Sequence, residues 1–378
     1  MTPETFFPAY DGLGERRSGS EGDAAAATWL REAAEAAGAT ATLLPVAFQR
    51  LIPSTACLDA EGRRFEGLPL FDGGLTAAGG IAGRLGPLGS DAEIGVAEFH
   101  PSAASLPGNA FARARAESRH AGIVIALRTL GDGLAPLNAH DHAAPFGPPV
   151  LQVAGHDAAA LGVLAAAGVG GVLRVEGRHE PGISHSVRAD LPGAGPPLVL
   201  LTPRTSWWTS TAERGGGILA WLTALRALAA APRDRMVVGL ATCGHELGHF
   251  GAHAAFTADP ALASASALVL HLGANLGAAR DGHLTVRSNV PKLAEAMAEL
   301  LVREGYPHDA IEAVTGGKAN GEAHEIEARG GRYLSLIGRN PWFHAPDDRW
   351  PHSIDLPRAA AIARATAAMA LRHAGAGR

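Results

Sequence analysis

The chain contains 378 residues, which is enough for two domains, since one domain usually takes about 100–200 residues. Hydrophobic residues make up 47% and charged residues 18% of the sequence, a balance that is typical of a packed protein and argues against global disorder. The net charge is −5 with acidic and basic residues interspersed, so no basic stripe predicts binding to nucleic acid. Because neither a secretory signal nor an apolar run of about 18 residues is visible, and only two cysteines are present, we expect a cytoplasmic protein without a membrane span.

The first predicted elements are a turn, a helix and a strand. Glycines and serines predict the turn before residue 23. An Ala-rich amphipathic helix is predicted over 23–37, with Asp23 as its N-cap and Gly38 just beyond its C-terminus. A strand pattern over 40–48 follows the helix.

Residues 50–190 have a different sequence pattern, in which short predicted strands alternate with Gly/Pro turns. The predicted elements are strands at 94–99, 122–127 and 149–153 and helices at 110–120 and 158–167. This pattern predicts a smaller, β-rich α+β domain over 50–190. It is inserted into a larger domain formed by 1–49 and 191–378.

The remainder of the chain alternates between apolar strands and helices. The predicted strands are 197–201, 236–241, 267–272 and 333–337, and the predicted helices are 217–230, 247–256, 291–304 and 356–373. Such alternation is typical of an α/β domain with a mostly parallel central sheet and helices on both faces. Ligands bind outside the carboxyl ends of the strands in these sheets, so the residues just after each strand are the candidates for a functional site.

One of these strand ends carries His245-Glu246-Leu247-Gly248-His249, which matches the zinc-binding motif H-E-x-x-H. That motif requires both histidines on one face of a continuous helix. Here an apolar β-rich run and Gly244 directly precede it, and Gly248 weakens a helix further. We therefore interpret the match as a coincidence at a strand-to-helix turn.

Several segments, taken in order, resemble the M28 family of metallopeptidases. They are Ser18-Gly19-Ser20 with Gly22 near the start, Gly244 with Glu246 to Ala252, Phe343-His344-Ala345-Pro346 with Asp348, and Ile354-Asp355 before the last helix. The inserted region resembles a protease-associated domain at residues 121–125 and 148–153. The resemblance spans nearly the whole chain and implies a zinc-exopeptidase-like fold.

The family usually binds two zinc ions, and the resemblance implies candidates for its ligands. Glu246 falls at the ligand glutamate, His344 at the late histidine, Glu213 at the bridging aspartate and His271 near the second aspartate. Each has an alternative: the two glutamates as helix N-terminal charges, His271 as a hydrogen-bonded core residue and His344 as a loop residue that caps a turn. The general-base glutamate falls at His245, which would assist proton transfer or act as a further ligand.

Other positions depart from the family pattern. The first histidine and its aspartate fall at Pro203 and Thr205, and proline has no side-chain donor atom. The resemblance therefore implies one zinc ion held by Glu213, Glu246 and His344, similar to the glutaminyl cyclase branch of the fold.

Three further residues are candidates for substrate binding. Arg214 would repel a second metal and would receive an anionic substrate group. Trp207 and Trp208 would wall a pocket for an apolar group, or serve as packing residues.

These features predict a zinc-dependent hydrolase with His245 and Glu246 as catalytic residues. Its substrate would be a small peptide or an amide-containing small molecule. Two alternatives stay open: a metal-free homologue that binds or assembles without catalysis, and a one-metal transferase or lyase on the same fold.

Overall fold

The computed structural model describes residues 2–104, 108–140 and 142–375, which form strands and helices joined by loops. The strands are β1 Thr40–Ala60, β2 Arg63–Pro69, β3 Ile81–Pro87, β4 Ile94–Phe99, β5 Gly122–Leu127, β6 Val150–Ala154, β7 Gly170–Leu191, β8 Ala194–Pro203, β9 Arg235–Thr242, β10 Leu268–Leu272, β11 Leu284–Ser288, β12 Ile311–Thr315 and β13 Tyr333–Gly338. The α-helices are α1 Pro3–Asp11, α2 Glu21–Ala36, α3 Pro101–Ala104, α4 Ala110–Glu117, α5 Ala158–Ala166, α6 Thr211–Ala230, α7 Phe250–Ala258, α8 Ala261–Ser264, α9 Leu293–Arg303, α10 Ala323–Ala328 and α11 Leu356–His373. Within these residues, no helix combines the length and apolarity needed to cross a bilayer.

The predicted α/β class, with helices on both faces of a large sheet, is confirmed. In the larger part of the chain the strand order is β7-β9-β8-β10-β13-β11-β12. The four strands β9, β8, β10 and β13 are parallel, whereas β7 and β11 pair antiparallel with the outer strands of this group. The carboxyl ends of the four parallel strands therefore meet at one rim of the sheet.

Strand β8 shows why the central strands form and stay buried. Leu198 and Leu200 face a core that includes residues of α6, α9 and α11. Val199 and Leu201 face the opposite core, with residues of α7, α8 and α10. Because both faces are covered, the strand reads in the sequence as a continuous apolar run rather than as an alternation.

Strands β1 and β7 form a long antiparallel ribbon between the two parts of the chain. Their register runs from Thr40 opposite Asp190 to Ala60 opposite Gly171, with an irregularity between Pro53 and Thr55. The prediction of a strand over 40–48 was therefore too short, because pairing with β7 continues through the irregularity at Pro53. The division into domains at residues 50 and 190 stays a prediction, and both positions lie within this ribbon.

Helix α2 begins at Glu21, earlier than predicted, and Ser20 is its N-cap. The Ser20 side chain accepts a hydrogen bond from the backbone N–H of Asp23 at 3.1 Å. Asp23 lies inside the helix, and its carboxylate contacts residues outside the helix.

Candidate active site

Buried ionisable side chains from distant segments meet at the carboxyl rim of the parallel strands. They are Glu213, Arg214, His245, Glu246, His271, Glu322 and His344, and each is at most 8% exposed. Glu213 and Arg214 lie in the first turns of α6, and His271 lies in β10. The others come from the loops after β9 and β13 and from the residue that precedes α10. All of the candidate ligands predicted from the sequence are in this region.

We refer to Glu213, Arg214, Glu246 and His344 as the Arg214 group. The Arg214 Nη2 atom lies 2.8 Å from Glu213 Oε1 and 3.5 Å from Glu246 Oε1. His344 Nε2 lies 3.5 Å from the same Glu213 oxygen. The two arginine contacts are ion pairs by distance, whereas the histidine contact is an ion pair only when the ring is protonated. None of the atoms at these contacts makes a well-aligned hydrogen bond with the described residues. The guanidinium is therefore the cation between two buried carboxylates.

Surrounding polar atoms hold the Arg214 group in place. Arg214 Nε donates to the Thr205 carbonyl at 2.7 Å, and the Thr205 hydroxyl donates to Glu246 Oε2, also at 2.7 Å. His344 Nδ1 donates to the Pro136 carbonyl at 2.6 Å, which leaves the Nε2 lone pair of the neutral ring facing Glu213. The position that corresponds to a family aspartate, Thr205, thus orients both a carboxylate and the guanidinium.

The Glu246 carboxyl group has an unusual pKa. Burial raises its pKa to about 7, against the opposing effects of the Arg214 charge and the Thr205 hydrogen bond. For His344, burial lowers the pKa, so its ring is neutral near pH 7. The Arg214 group thus contains a carboxyl group with a pKa near neutral pH and an imidazole that is neutral at that pH.

A zinc ion does not fit within the Arg214 group. Two carboxylates and one imidazole are suitable zinc donors, and their unpaired atoms face one another. However, the Arg214 guanidinium occupies the space between the two carboxylates. A zinc ion about 4 Å from that charge would be repelled by roughly 8 kcal/mol at an effective dielectric constant of about 20.

A second set of side chains, His245, His249, His271 and Glu322, lies beside the Arg214 group, and we call it the His245 cluster. His245 Nδ1 lies 2.7 Å from Glu322 Oε1, and His271 Nε2 lies 3.1 Å from Glu322 Oε2. The His245 and His249 rings are 4.7 Å apart between centroids. Burial, followed by the Arg214 charge, lowers the pKa of His245 to about 4, so this ring is neutral at pH 7. Burial would raise the pKa of Glu322, but the neighbouring histidines hold it well below its usual value.

The H-E-x-x-H segment does not form the helix that the zinc-binding motif requires. His245, Glu246 and Gly248 are in turns, Leu247 forms an isolated bridge, and His249 is in the left-handed region with a φ of 57° just before α7. As a result, Glu246 faces the Arg214 group, whereas His245 faces Glu322. The prediction of a strand-to-helix turn agrees with the structure, yet the two imidazoles still come together.

The sequence analysis did not identify Glu322 as a functional residue. It lies just before α10, and a glutamate at a helix start is common because the helix dipole favours negative charge there. No motif surrounds it in the sequence. Only the packing of the segment before α10 against β10 and the loop after β9 brings its carboxylate between His245 and His271.

Trp207 and Trp208 pack against the loops that follow β2 and β5. Trp207 Nε1 donates to Asn138 Oδ1 at 3.0 Å, and Trp208 Nε1 donates to the Leu134 carbonyl at 3.1 Å. The Trp207 ring also lies 4.8 Å from the Phe71 ring between centroids. Both indoles therefore hold these loops beside the site.

Residues 129–140, which we call the covering segment, lie over the Arg214 group. The Pro136 carbonyl accepts the His344 hydrogen bond, and the Ala139 N–H donates to the Glu246 carbonyl at 2.8 Å. Leu130 N–H donates to the Pro341 carbonyl at 3.0 Å. The complete burial of the Arg214 group thus depends on the covering segment, and a substrate would reach this group only if that segment moved.

The contact between Asn138 and Trp207 gives a first testable prediction. We expect Asn138→Ala to lower the free energy of unfolding by about 1 kcal/mol, because the buried Trp207 indole N–H loses its acceptor. Urea unfolding followed by tryptophan fluorescence measures this change. The control is Glu117→Ala on the exposed surface of α4, which should change the free energy of unfolding by less than about 0.5 kcal/mol. Asn289→Ala is not a suitable control, since the Asn289 side chain makes hydrogen bonds to the backbone. An equal loss in both variants would contradict the assigned role of Asn138.

Comparison with known proteins shows similarity at the level of structure. A zinc aminopeptidase from Bacillus subtilis is 16% identical with a TM-score of 0.79, and the match covers 99% of this chain and 94% of that one. An aminopeptidase from Aneurinibacillus sp. strain AM-1 is 15% identical with a TM-score of 0.73 and coverages of 100% and 95%. A peptidase M28 precursor from Shewanella amazonensis is 16% identical with a TM-score of 0.75 and coverages of 100% and 93%. No protein-family model and no curated protein sequence matches the chain. The chain therefore has an M28-like fold.

Proposed function

We propose that the protein is a zinc-dependent hydrolase that cleaves a peptide or other amide bond with a single metal ion. The observation that carries this proposal is the convergence of buried carboxylates, imidazoles and one guanidinium at the carboxyl rim of the parallel strands. In open α/β sheets this rim is where ligands bind. The similarity in fold to zinc aminopeptidases supports the same type of reaction.

The side chains of the Arg214 group suit the binding and proton-transfer steps of such a reaction. Glu246 Oε1 makes no well-aligned hydrogen bond with the described residues and lies 3.5 Å from Arg214 Nη2, so it is free to accept a proton. Arg214 would stabilise negative charge that develops on a substrate oxygen, because a fixed cation in a buried site is already oriented. A zinc ion, when bound, would polarise the substrate carbonyl and activate a water molecule. It would have to bind outside the Arg214 group.

The covering segment has a place in this function. The covering segment would move away from Glu246 and His344 as the substrate enters. Closing of the segment over the bound substrate would then exclude water from the reacting groups.

The proposed role of Glu246 is tested by its isosteric amide. Protein prepared without an affinity tag and supplied with zinc is expected to hydrolyse aminoacyl p-nitroanilides or short peptides. Glu246→Gln should reduce kcat about 100-fold, because a positioned acid or base typically contributes a factor of about 10²–10⁴. The measurement is the initial rate of product release, with and without a chelator.

The control for this variant is His253→Ala. His253 lies on α7, and its side chain is 64% exposed, so the rate should stay unchanged. Folded, zinc-supplied protein that hydrolyses neither free nor N-blocked peptides nor simple amides would falsify the proposed function.

A metal-free binding protein is the second candidate function. It is favoured by the Arg214 guanidinium, which already neutralises carboxylates within the Arg214 group. In this case, zinc would leave the melting temperature unchanged, and a peptide ligand would raise it without being cleaved.

A further inference from the structure

We propose that His245, His249 and Glu322 form a binding site for one divalent transition-metal ion, for which zinc is the probe. This inference rests on the proposed function and names the position of its metal. One ligand atom from each of the three side chains lies within 4.8 Å of the other two. Two histidines and one glutamate, with a further position open, match a common arrangement of catalytic zinc.

The spacing of the three donors requires a modest adjustment on binding. With zinc bonds of about 2.0–2.1 Å, the ligand atoms of a tetrahedral site lie roughly 3.3 Å apart. Small rotations of the side chains would bring the donors to this spacing. His249 is partly exposed and is the most accessible of the three, whereas Glu322 is 1% exposed. Metal would therefore enter from the His249 side.

A second layer of contacts orients the glutamate. His271 Nε2 lies 3.1 Å from Glu322 Oε2, and His271 Nδ1 lies 2.8 Å from the Ser335 hydroxyl. Hydrogen bonds of this type fix the direction of a carboxylate ligand and tune its affinity for metal. His271 is thus a positioning residue in this proposal, and Glu322 Oε1 is the oxygen left for the ion.

The balance of charge in the region also favours a divalent cation. Glu213, Glu246 and Glu322 place three carboxyl groups beside the single guanidinium of Arg214. All four side chains are at most 1% exposed. Buried carboxyl groups thus outnumber the buried cation, and a divalent ion would offset their negative charge. In the metal-free protein, the neutral His245 ring contributes only a hydrogen bond to Glu322 Oε1.

The site differs from the metal position that the sequence analysis assigned to Glu213, Glu246 and His344. In the structure, that position is filled by the Arg214 guanidinium, whereas only the N–H proton of a hydrogen bond lies between the neutral His245 ring and Glu322. A proton is displaced by a metal ion far more readily than a covalently attached guanidinium.

The experiment is a metal titration of the full chain without an affinity tag, freed of metal by a chelator. Calorimetry with zinc measures stoichiometry and affinity, and cobalt(II) reports coordination through its visible absorption. About one zinc per chain is expected, with tetrahedral cobalt absorption. His249→Ala should weaken zinc binding at least 100-fold, because it removes one of three ligands. His271→Ala should weaken it about 10–100-fold through the orientation of Glu322.

Two matched variants complete the design. His253→Ala removes an exposed imidazole one turn along α7 from His249 and should leave zinc affinity unchanged. His344→Ala removes an imidazole of the Arg214 group and should also leave affinity within about threefold. Since His249 is partly exposed, its variant is expected to fold, and circular dichroism checks this directly.

The outcomes separate the metal site from the proposed function. Zinc binding that survives in His249→Ala but disappears in His344→Ala overturns the site and leaves a zinc hydrolase in place. Zinc bound through His249 without cleavage of any peptide or amide supports the site and overturns the proposed function. The absence of zinc and cobalt binding in folded wild-type protein overturns the site and favours the metal-free candidate.

Discussion

Arg214→Met is expected to lower the free energy of unfolding by about 3–5 kcal/mol, which is the usual cost of removing one partner from a buried ion pair. Arg214 is fully buried between Glu213 and Glu246, and the carboxylates that it leaves behind are themselves buried away from bulk solvent. Methionine retains much of the volume but carries no charge, so the loss reports the missing cation rather than a cavity. Urea unfolding at pH 7 and low zinc measures the change.

The matched control is Arg226→Met, on an exposed position of the same helix α6. It should change stability by less than about 0.5 kcal/mol. A loss below about 1 kcal/mol for Arg214→Met would contradict the role of the guanidinium as the counter-ion of the two carboxylates.

The same variant has a consequence for metal binding. Once the guanidinium is gone, the donor atoms of Glu213, Glu246 and His344 face one another with no cation between them. We expect zinc to bind there and to restore part of the lost stability, which a melting curve with and without zinc would detect. The wild-type protein should show no zinc binding that depends on His344.

Asp23→Ala is the other substitution with a large expected effect, and it also costs about 3–5 kcal/mol of unfolding free energy. Asp23 Oδ1 accepts from Arg204 Nη2 at 2.6 Å, and Oδ2 accepts from the Ser184 hydroxyl at 2.6 Å and from the Gly19 N–H at 2.7 Å. Arg204 also donates to the His185 carbonyl at 2.5 Å. The alanine variant leaves this buried guanidinium without its carboxylate, so α2, β7 and the segment after β8 lose their common contact.

Glu35→Ala serves as the control for Asp23→Ala because it lies on the exposed side of the same helix. Its ion pair with Arg31, at 3.2 Å, is at the surface, where such pairs contribute about 0–1 kcal/mol. The free energies of unfolding of the two variants, measured by thermal and urea unfolding, should therefore differ by more than about 2 kcal/mol. Similar losses in the two proteins would show that the buried contact of Asp23 contributes little.

These two buried arginines indicate how the charged interior is stabilised. Arg204 and Arg214 are each at most 1% exposed, and each has carboxylate partners that are themselves buried. Single substitutions are therefore costly, although a paired replacement by apolar residues would cost much less. A single substitution of either arginine can therefore lower activity simply by unfolding the protein, so stability must be measured before a loss of activity is interpreted.

Much of the fold was predictable because its signals are local. The apolar runs at 197–201, 236–241 and 267–272 are strands buried on both faces, and this burial makes the runs recognisable. The extent of β1 was not predictable, because its second half is held by pairing with β7, more than 100 residues away. Helix α2 also began earlier than predicted, since a serine and an aspartate three residues apart are both acceptable N-caps by residue type.

The sequence predicted which residues form the candidate site better than it predicted how they contact one another. Residue type and strand-end position placed Glu246 and His344 at one rim of the sheet, and in the structure each lies within the Arg214 group. The same reasoning treated Arg214 as a substrate-binding residue, which stays a prediction, but it did not predict that the guanidinium lies between Glu213 and Glu246. The conformation of a long side chain depends on the residues that surround it in the folded structure, and the sequence does not specify those neighbours.

By itself, the sequence determined the α/β class, the alternation of the central parallel strands with helices and the rim at which polar side chains collect, because periodicity and residue type act over a few neighbouring residues. Only the tertiary structure decided that adjacent His245 and Glu246 face different partners and that Glu322 joins the histidines. In the irregular segment after β9, the left-handed backbone at His249 and contacts with distant segments set these directions. Local pattern carries no information about such contacts, since they form between parts of the chain that meet only on folding.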